Sequence, residues 1–112
     1  MIKAKEEDFY EKLGKGYVLA LFYANWCPFC RRIKPVFENY EDKSPIPLAE
    51  VDISDEGKIW DELSINYVPT LILFKDGKII ARRDSKKGVG LEEKDIIYLI
   101  EEALKITSAK EP

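Results

Sequence analysis

Two cysteines, Cys27 and Cys30, are the only ones in the 112 residues, and they stand three apart in Trp26-Cys27-Pro28-Phe29-Cys30. An apolar run precedes them and a helical pattern follows. A Cys-x-x-Cys pair at a strand-to-helix junction reads as a dithiol/disulfide redox centre. With Cys27 at the start of a helix, Cys30 falls one turn on and on nearly the same face. The sulfurs can then meet with little movement of the backbone. Cys27 lies where unpaired N–H groups and the positive end of the helix dipole favour an anion, so a reactive thiolate is expected there. Pro28 suits the first helical turn, where no N–H is missed. Trp26 and Phe29 flank the nucleophile and suit contact with a peptide, although both could serve as core. A purely structural clip is the weaker reading, because closing so short a loop constrains the unfolded chain little.

Composition removes other chemistries. The chain has no histidine, which excludes a Cys–His dyad and most zinc sites. Two cysteines cannot complete a four-ligand zinc or iron–sulfur site within one chain, so no metal or bound organic cofactor is expected. A net charge of −3 argues against nucleic acid as a partner. The first twelve residues are charged and show no signal peptide. The longest apolar run, 17–24, is too short to span a bilayer, so no membrane association and a cytoplasmic location are expected.

The elements that must position the cysteines follow from periodicity. At 46% hydrophobic and 35% charged, residues 1–112 read as one globular domain. Residues 2–4 suit an edge strand. Residues 6–13 suit a short helix burying Phe9, Tyr10 and Leu13, and ending at Gly14 and Gly16. The continuous apolar run 17–24 suits a central strand covered on both faces. The pattern predicts a helix over 28–43 with Ile33, Val36, Phe37 and Tyr40 inward, kinked at Pro35. A strand follows at 48–53, then a helix at 56–65 in which Trp60 is ordinary packing. Asp76-Gly77 predicts a hairpin joining a strand at 71–74 to one at 78–83. A polar loop at 84–90 leads to a helix over 91–106 burying Ile96, Ile97, Ile100, Ala103 and Leu104. The order β-α-β-α-β-α-β-β-α implies an α/β fold with a mixed sheet, parallel early and antiparallel at the hairpin edge. Arg31 and Arg32, and the cluster Arg82, Arg83, Lys86 and Lys87, read as solvated charge.

Phe22-Tyr23-Ala24-Asn25-Trp26-Cys27, Cys30, Pro35, Val68-Pro69-Thr70 and Phe74-Lys75-Asp76-Gly77 together resemble the thioredoxin family over nearly the whole chain. The resemblance implies a thioredoxin-like fold and a protein-disulfide reductase working by dithiol exchange. It implies an exposed attacking Cys27, a buried resolving Cys30 and a cis-proline at Pro69. The Val68 backbone would pair with a substrate peptide as an added strand. The partners implied are disulfide-containing proteins and a flavoenzyme resembling thioredoxin reductase, with the chain a monomer.

Three departures stand out. Leu21 occupies the position of the family's buried aspartate, and Glu50 that of its facing lysine. Glu50 either replaces the missing carboxylate, with a raised pKa suited to proton transfer with Cys30, or points to water. Pro28-Phe29 between the cysteines looks like the glutaredoxin centre. Ser85 lies near the family's groove glycine, for which Gly88 or Gly90 would substitute. A glutathione-linked reductase and a disulfide oxidase or isomerase therefore stay open. So does a module that binds peptides or bridges two chains through a cluster.

Overall fold

The computed structural model describes residues 1–55 and 57–109. Nine elements alternate along the chain. They are β1 (Ile2–Lys5), α1 (Phe9–Leu13), β2 (Tyr17–Tyr23), α2 (Pro28–Glu38), β3 (Leu48–Asp52), α3 (Ile59–Glu62), β4 (Thr70–Lys75), β5 (Lys78–Asp84) and α4 (Glu93–Ala109). The strands form one sheet in the order β1-β3-β2-β4-β5. β3 runs parallel to both β1 and β2. β4 runs antiparallel to β2, and β5 antiparallel to β4. The change of direction therefore falls in the middle of the sheet, one strand further in than the hairpin alone implied.

β2 is central because its sequence leaves no side for water. Leu19 and Leu21 point to one face, where α2 and α4 supply Ile33, Phe37, Ile96 and Leu99. Ala20 and Phe22 point to the other, against Phe9 and Leu13 of α1 and Ile59 at the start of α3. Phe9 meets Phe22 edge-on with ring centroids 5.6 Å apart. Each such side chain removed from water contributes about 1.5–3 kcal/mol. Asp76 (φ 51°) and Gly77 (φ 79°) both take the left-handed conformation that a two-residue hairpin of matching twist requires.

Several expectations need correction. α2 stops at Glu38, and residues 39–43 continue as tight turns in which Tyr40 N–H bonds Phe37 O and Glu41 N–H bonds Glu38 O. The helical stripe thus outlasts the regular helix by a turn. The expected ten-residue helix at 56–65 contracts to four residues, closed by Ser64 at φ 52°. Tyr10, Ile97 and Leu104 are exposed, and Leu99 is the buried residue that the pattern passed over. Exposed apolar side chains are common because polar atoms cannot cover a whole surface. Among the described residues no helix is long and apolar enough to cross a membrane.

Candidate active site

The pairing of β2 with β4 builds the site. Phe22 is in register with Thr70, so the end of β2 lies beside the start of β4. Cys27 is the N-cap of α2, in extended conformation, with Pro28 in the first turn. The Cys30 backbone N–H donates to Cys27 Sγ at 3.3 Å, a contact of the kind a thiolate accepts. On its other side Cys27 Sγ lies 3.4 Å from the Val68 carbonyl oxygen. The Val68–Pro69 peptide is cis. Thr70 Oγ1 donates to Tyr67 O, and Ser85 Oγ donates to Pro69 O, so hydroxyls hold this turn from both sides.

Both thiols are free. Cys30 is 1% exposed and Cys27 only 5%, so the attacking sulfur is less open than the resemblance implied. Cys27 belongs to the apolar cluster that also holds Val68 and against which Phe29 packs. Burial pushes the Cys30 thiol well up, and the Cys27 side chain beside it adds to the rise. Cys30 therefore holds its proton until a base removes it.

The flanking residues are fixed by backbone contacts. Trp26 is 59% exposed, and its Nε1 donates to Ser54 O at 3.1 Å. Asn25 N–H donates to Ser54 Oγ, and Asn25 Nδ2 to Asp52 Oδ2. Phe29 is half-buried under Gly90, where a β-carbon would come within 2.8 Å of the ring. Gly90 is thus the glycine at which the 84–90 loop closes over the site, while Ser85 braces Pro69. Arg32 spans the same gap, donating to Val89 O with its guanidinium 5.2 Å from the Phe29 ring centre. Arg31 donates to Asn25 O. Both arginines are exposed, as expected, and each also holds a backbone carbonyl.

Glu50 does not join this constellation directly. Its partner in register is Leu21, and it is 2% exposed, so the reading that it points to water fails. Its Oε2 has no hydrogen-bond partner. Burial, then the neighbouring Glu38 carboxylate, raise its pKa from 4.5 to about 7, against the pull of Lys34 and Lys3. It borders a cleft of about 280 Å³ shared with Lys3, Tyr23 and Asp52. Tyr23 packs against the apolar clusters on both faces of the sheet. Burial first, and then the charges of Asp52, Glu50, Glu38 and Cys30, raise its hydroxyl to about 12.

Sequence reasoning missed Ser54, the bracing hydroxyl of Thr70 and the place of Trp60, which stacks on Trp26 rather than only filling core. Short polar side chains that brace turns carry no periodic signal.

The comparisons with known proteins agree with this geometry. Residues 1–102 match the family model described as Thioredoxin. Thioredoxin of Chlamydia trachomatis is 38% identical over 97 residues, covering 85% of this chain and 90% of that one. Thioredoxin of Chlamydia caviae is 38% identical over 96 residues, covering 84% and 89%. Among solved structures, Fasciola hepatica thioredoxin aligns with a TM-score of 0.75 at 28% identity, covering 92% of this chain and 99% of its own.

Proposed function

Since the chain belongs to the thioredoxin family and is a thiol–disulfide oxidoreductase, we propose that Cys27 and Cys30 reduce protein disulfides by two successive exchanges. The Cys27 thiolate attacks one sulfur of the substrate disulfide, forming a mixed disulfide and releasing the other sulfur as thiolate. Cys30 then loses its proton and attacks Cys27 Sγ. The second substrate sulfur leaves as thiolate, and a Cys27–Cys30 disulfide remains. Two electrons pass from the dithiol to the substrate. The observation that carries this reading is the seat of Cys27 Sγ, between the Cys30 N–H and the Val68 carbonyl at a helix N-terminus.

Glu50 serves as proton acceptor for Cys30 in the second step. A buried carboxyl whose pKa is near 7 is part ionised at neutral pH and can take up a proton as Cys30 attacks. The charges of Glu50 and Cys30 both act on the Tyr23 hydroxyl, which supports placing the two groups in one electrostatic neighbourhood. Trp26, Pro28, Phe29, Val68 and Pro69 form the substrate groove, in which the peptide lies along the Val68 backbone as an added strand. The working unit is a single domain over 1–112, monomeric and cytoplasmic. A flavoenzyme resembling thioredoxin reductase returns the electrons.

The test is trapping. Cys30→Ser should accumulate a mixed disulfide with a protein substrate, and Cys27→Ser should form none. A covalent adduct through Cys30 in the Cys27→Ser protein would reverse the assignment. Equilibration of the dithiol against glutathione and dithiothreitol buffers checks the direction, since a tenfold change in ratio corresponds to about 30 mV. A strongly reducing value supports reduction; a markedly oxidising one replaces it with an oxidase or isomerase role.

A further inference from the structure

The indoles of Trp26 and Trp60 lie nearly parallel, with ring centroids 6.3 Å apart and planes 8° apart. Both are pinned by their N–H groups to consecutive carbonyls. Trp26 Nε1 donates to Ser54 O and Trp60 Nε1 to Ile53 O, each at 3.1 Å. With those donors spent on backbone, the pair offers π surface to a ligand. The two rings, with Ser54, Gly57 and Asp61, line a groove of about 360 Å³ that reaches Trp26, the residue preceding Cys27.

Among the described residues of 52–62 the charged side chains are Asp52, Asp55, Asp61 and Glu62 against Lys58; Asp52, Asp55 and Glu62 border neighbouring clefts. Asp61 is exposed and lines the groove itself. On the other flank of the cysteines, where Phe29 and Arg32 meet the 84–90 loop, the basic side chains are Arg32, Lys86 and Lys87, whereas Arg31 turns back to Asn25, which is bonded to Ser54. A polypeptide crossing the site therefore meets two indoles with a carboxylate at the rim on one side and basic side chains on the other.

We propose that the Trp26–Trp60 groove, with Asp61 at its rim, is a subsite for a cationic side chain of the disulfide-bearing partner, arginine above all. This rests on the exchange reading given above. A guanidinium is planar and weakly hydrated, so it stacks on an indole while its N–H fork meets a carboxylate. Lysine uses the same field as a point charge and fits less well. An uncharged side chain gains only the stacking surface, and an acidic one is repelled. The subsite selects substrates with a basic residue next to the reacting cysteine.

Two peptide disulfides that differ only in the residue beside the reacting cysteine, Arg or Gln, test this. At low ionic strength the wild-type kcat/KM for the Arg peptide should exceed that for the Gln peptide by about tenfold, combining a cation–π contact with a surface ion pair. The ratio should shrink in salt. It should fall to about two- to threefold in Asp61→Asn and to about fourfold in Trp60→Ala, which keeps the carboxylate. Each ratio is taken within one protein sample, so partial unfolding of a variant does not alter it. A diminished preference in either variant supports the subsite. Equal wild-type rates, a preference for a Glu or Phe peptide, or an undiminished ratio in both variants overturns it. Wild-type reduction of dithiobis(nitrobenzoate), lost in Cys27→Ser, is measured alongside. If the wild type reduces neither this small disulfide nor the peptides, the exchange reading itself falls. If it reduces the small disulfide but does not distinguish the peptides, only the subsite falls.

Discussion

Replacing Glu50 by glutamine should make the protein more stable at neutral pH and leave it nearly unchanged in acid. The carboxyl ionises near 4.5 in the unfolded chain and near 7 in the fold. Between those values the folded state binds the proton that the unfolded state has released. Stability therefore falls as pH rises through this window, and the loss is complete above about 7. At about 1.4 kcal/mol per pH unit, the folded protein gives up roughly 3 kcal/mol across it. Glutamine keeps the shape and has no charge to desolvate, so the variant escapes this loss. The assay is urea unfolding of the reduced wild type and Glu50→Gln at pH 4, 5.5, 7 and 8. The difference between their stabilities should grow from near zero to about 2–3 kcal/mol, with equal urea dependence in both. Glu38→Gln removes the like charge beside Glu50 and should draw the upper edge of the window downward. A difference between wild type and Glu50→Gln that does not vary with pH would refute the reasoning. Glu50 would then ionise as a surface carboxylate does, and it would lose its claim to accept the Cys30 proton.

Three further outcomes follow from the packing. Phe37→Ala empties a fully buried site between α2 and the sheet and should cost about 3–5 kcal/mol, seen as a lower urea midpoint at unchanged slope. Gly90→Ala forces a β-carbon to within 2.8 Å of Phe29 at a φ of +76°, so it should cost about 1–3 kcal/mol and raise KM for a protein disulfide. Unchanged KM would show that the 84–90 loop lies outside the substrate groove. Glu6 caps the segment bearing Trp60, its Oε1 accepting from the N–H groups of Lys58 and Ile59. Glu6→Ala should cost about 1 kcal/mol, and the indole fluorescence of the stacked pair should change with it.

What the sequence made legible was local. The three-residue spacing of Cys27 and Cys30 placed both at one helical turn, and Asp76-Gly77 announced its hairpin by the only backbone conformation it favours. The unbroken apolar run 17–24 identified β2 as a strand buried on both faces. The place of Pro69 beside the thiols came only through the resemblance, because β4 reaches β2 by a long-range register that no local pattern encodes. Glu50 could be placed on its strand, but its burial depended on whether it faced α2, a matter of a single residue in register. Trp60 was lost for a similar reason. Read as part of a ten-residue helix it belonged to a buried stripe, whereas the four-residue α3 turns its indole toward Trp26.

The antiparallel seam between β2 and β4 also imposes a chronology. A ribosome delivers the chain from its N-terminus, so β2, Cys27 and Cys30 emerge together and before their cover. The Val68 carbonyl that lies against Cys27 Sγ comes 41 residues later, and Ser85, which braces Pro69, later still. Until then the nascent chain carries two thiols beside an apolar strand with no neighbour on its β4 edge. Its reactive centre is born uncovered, and it is shielded only when synthesis has passed the turn that closes over it.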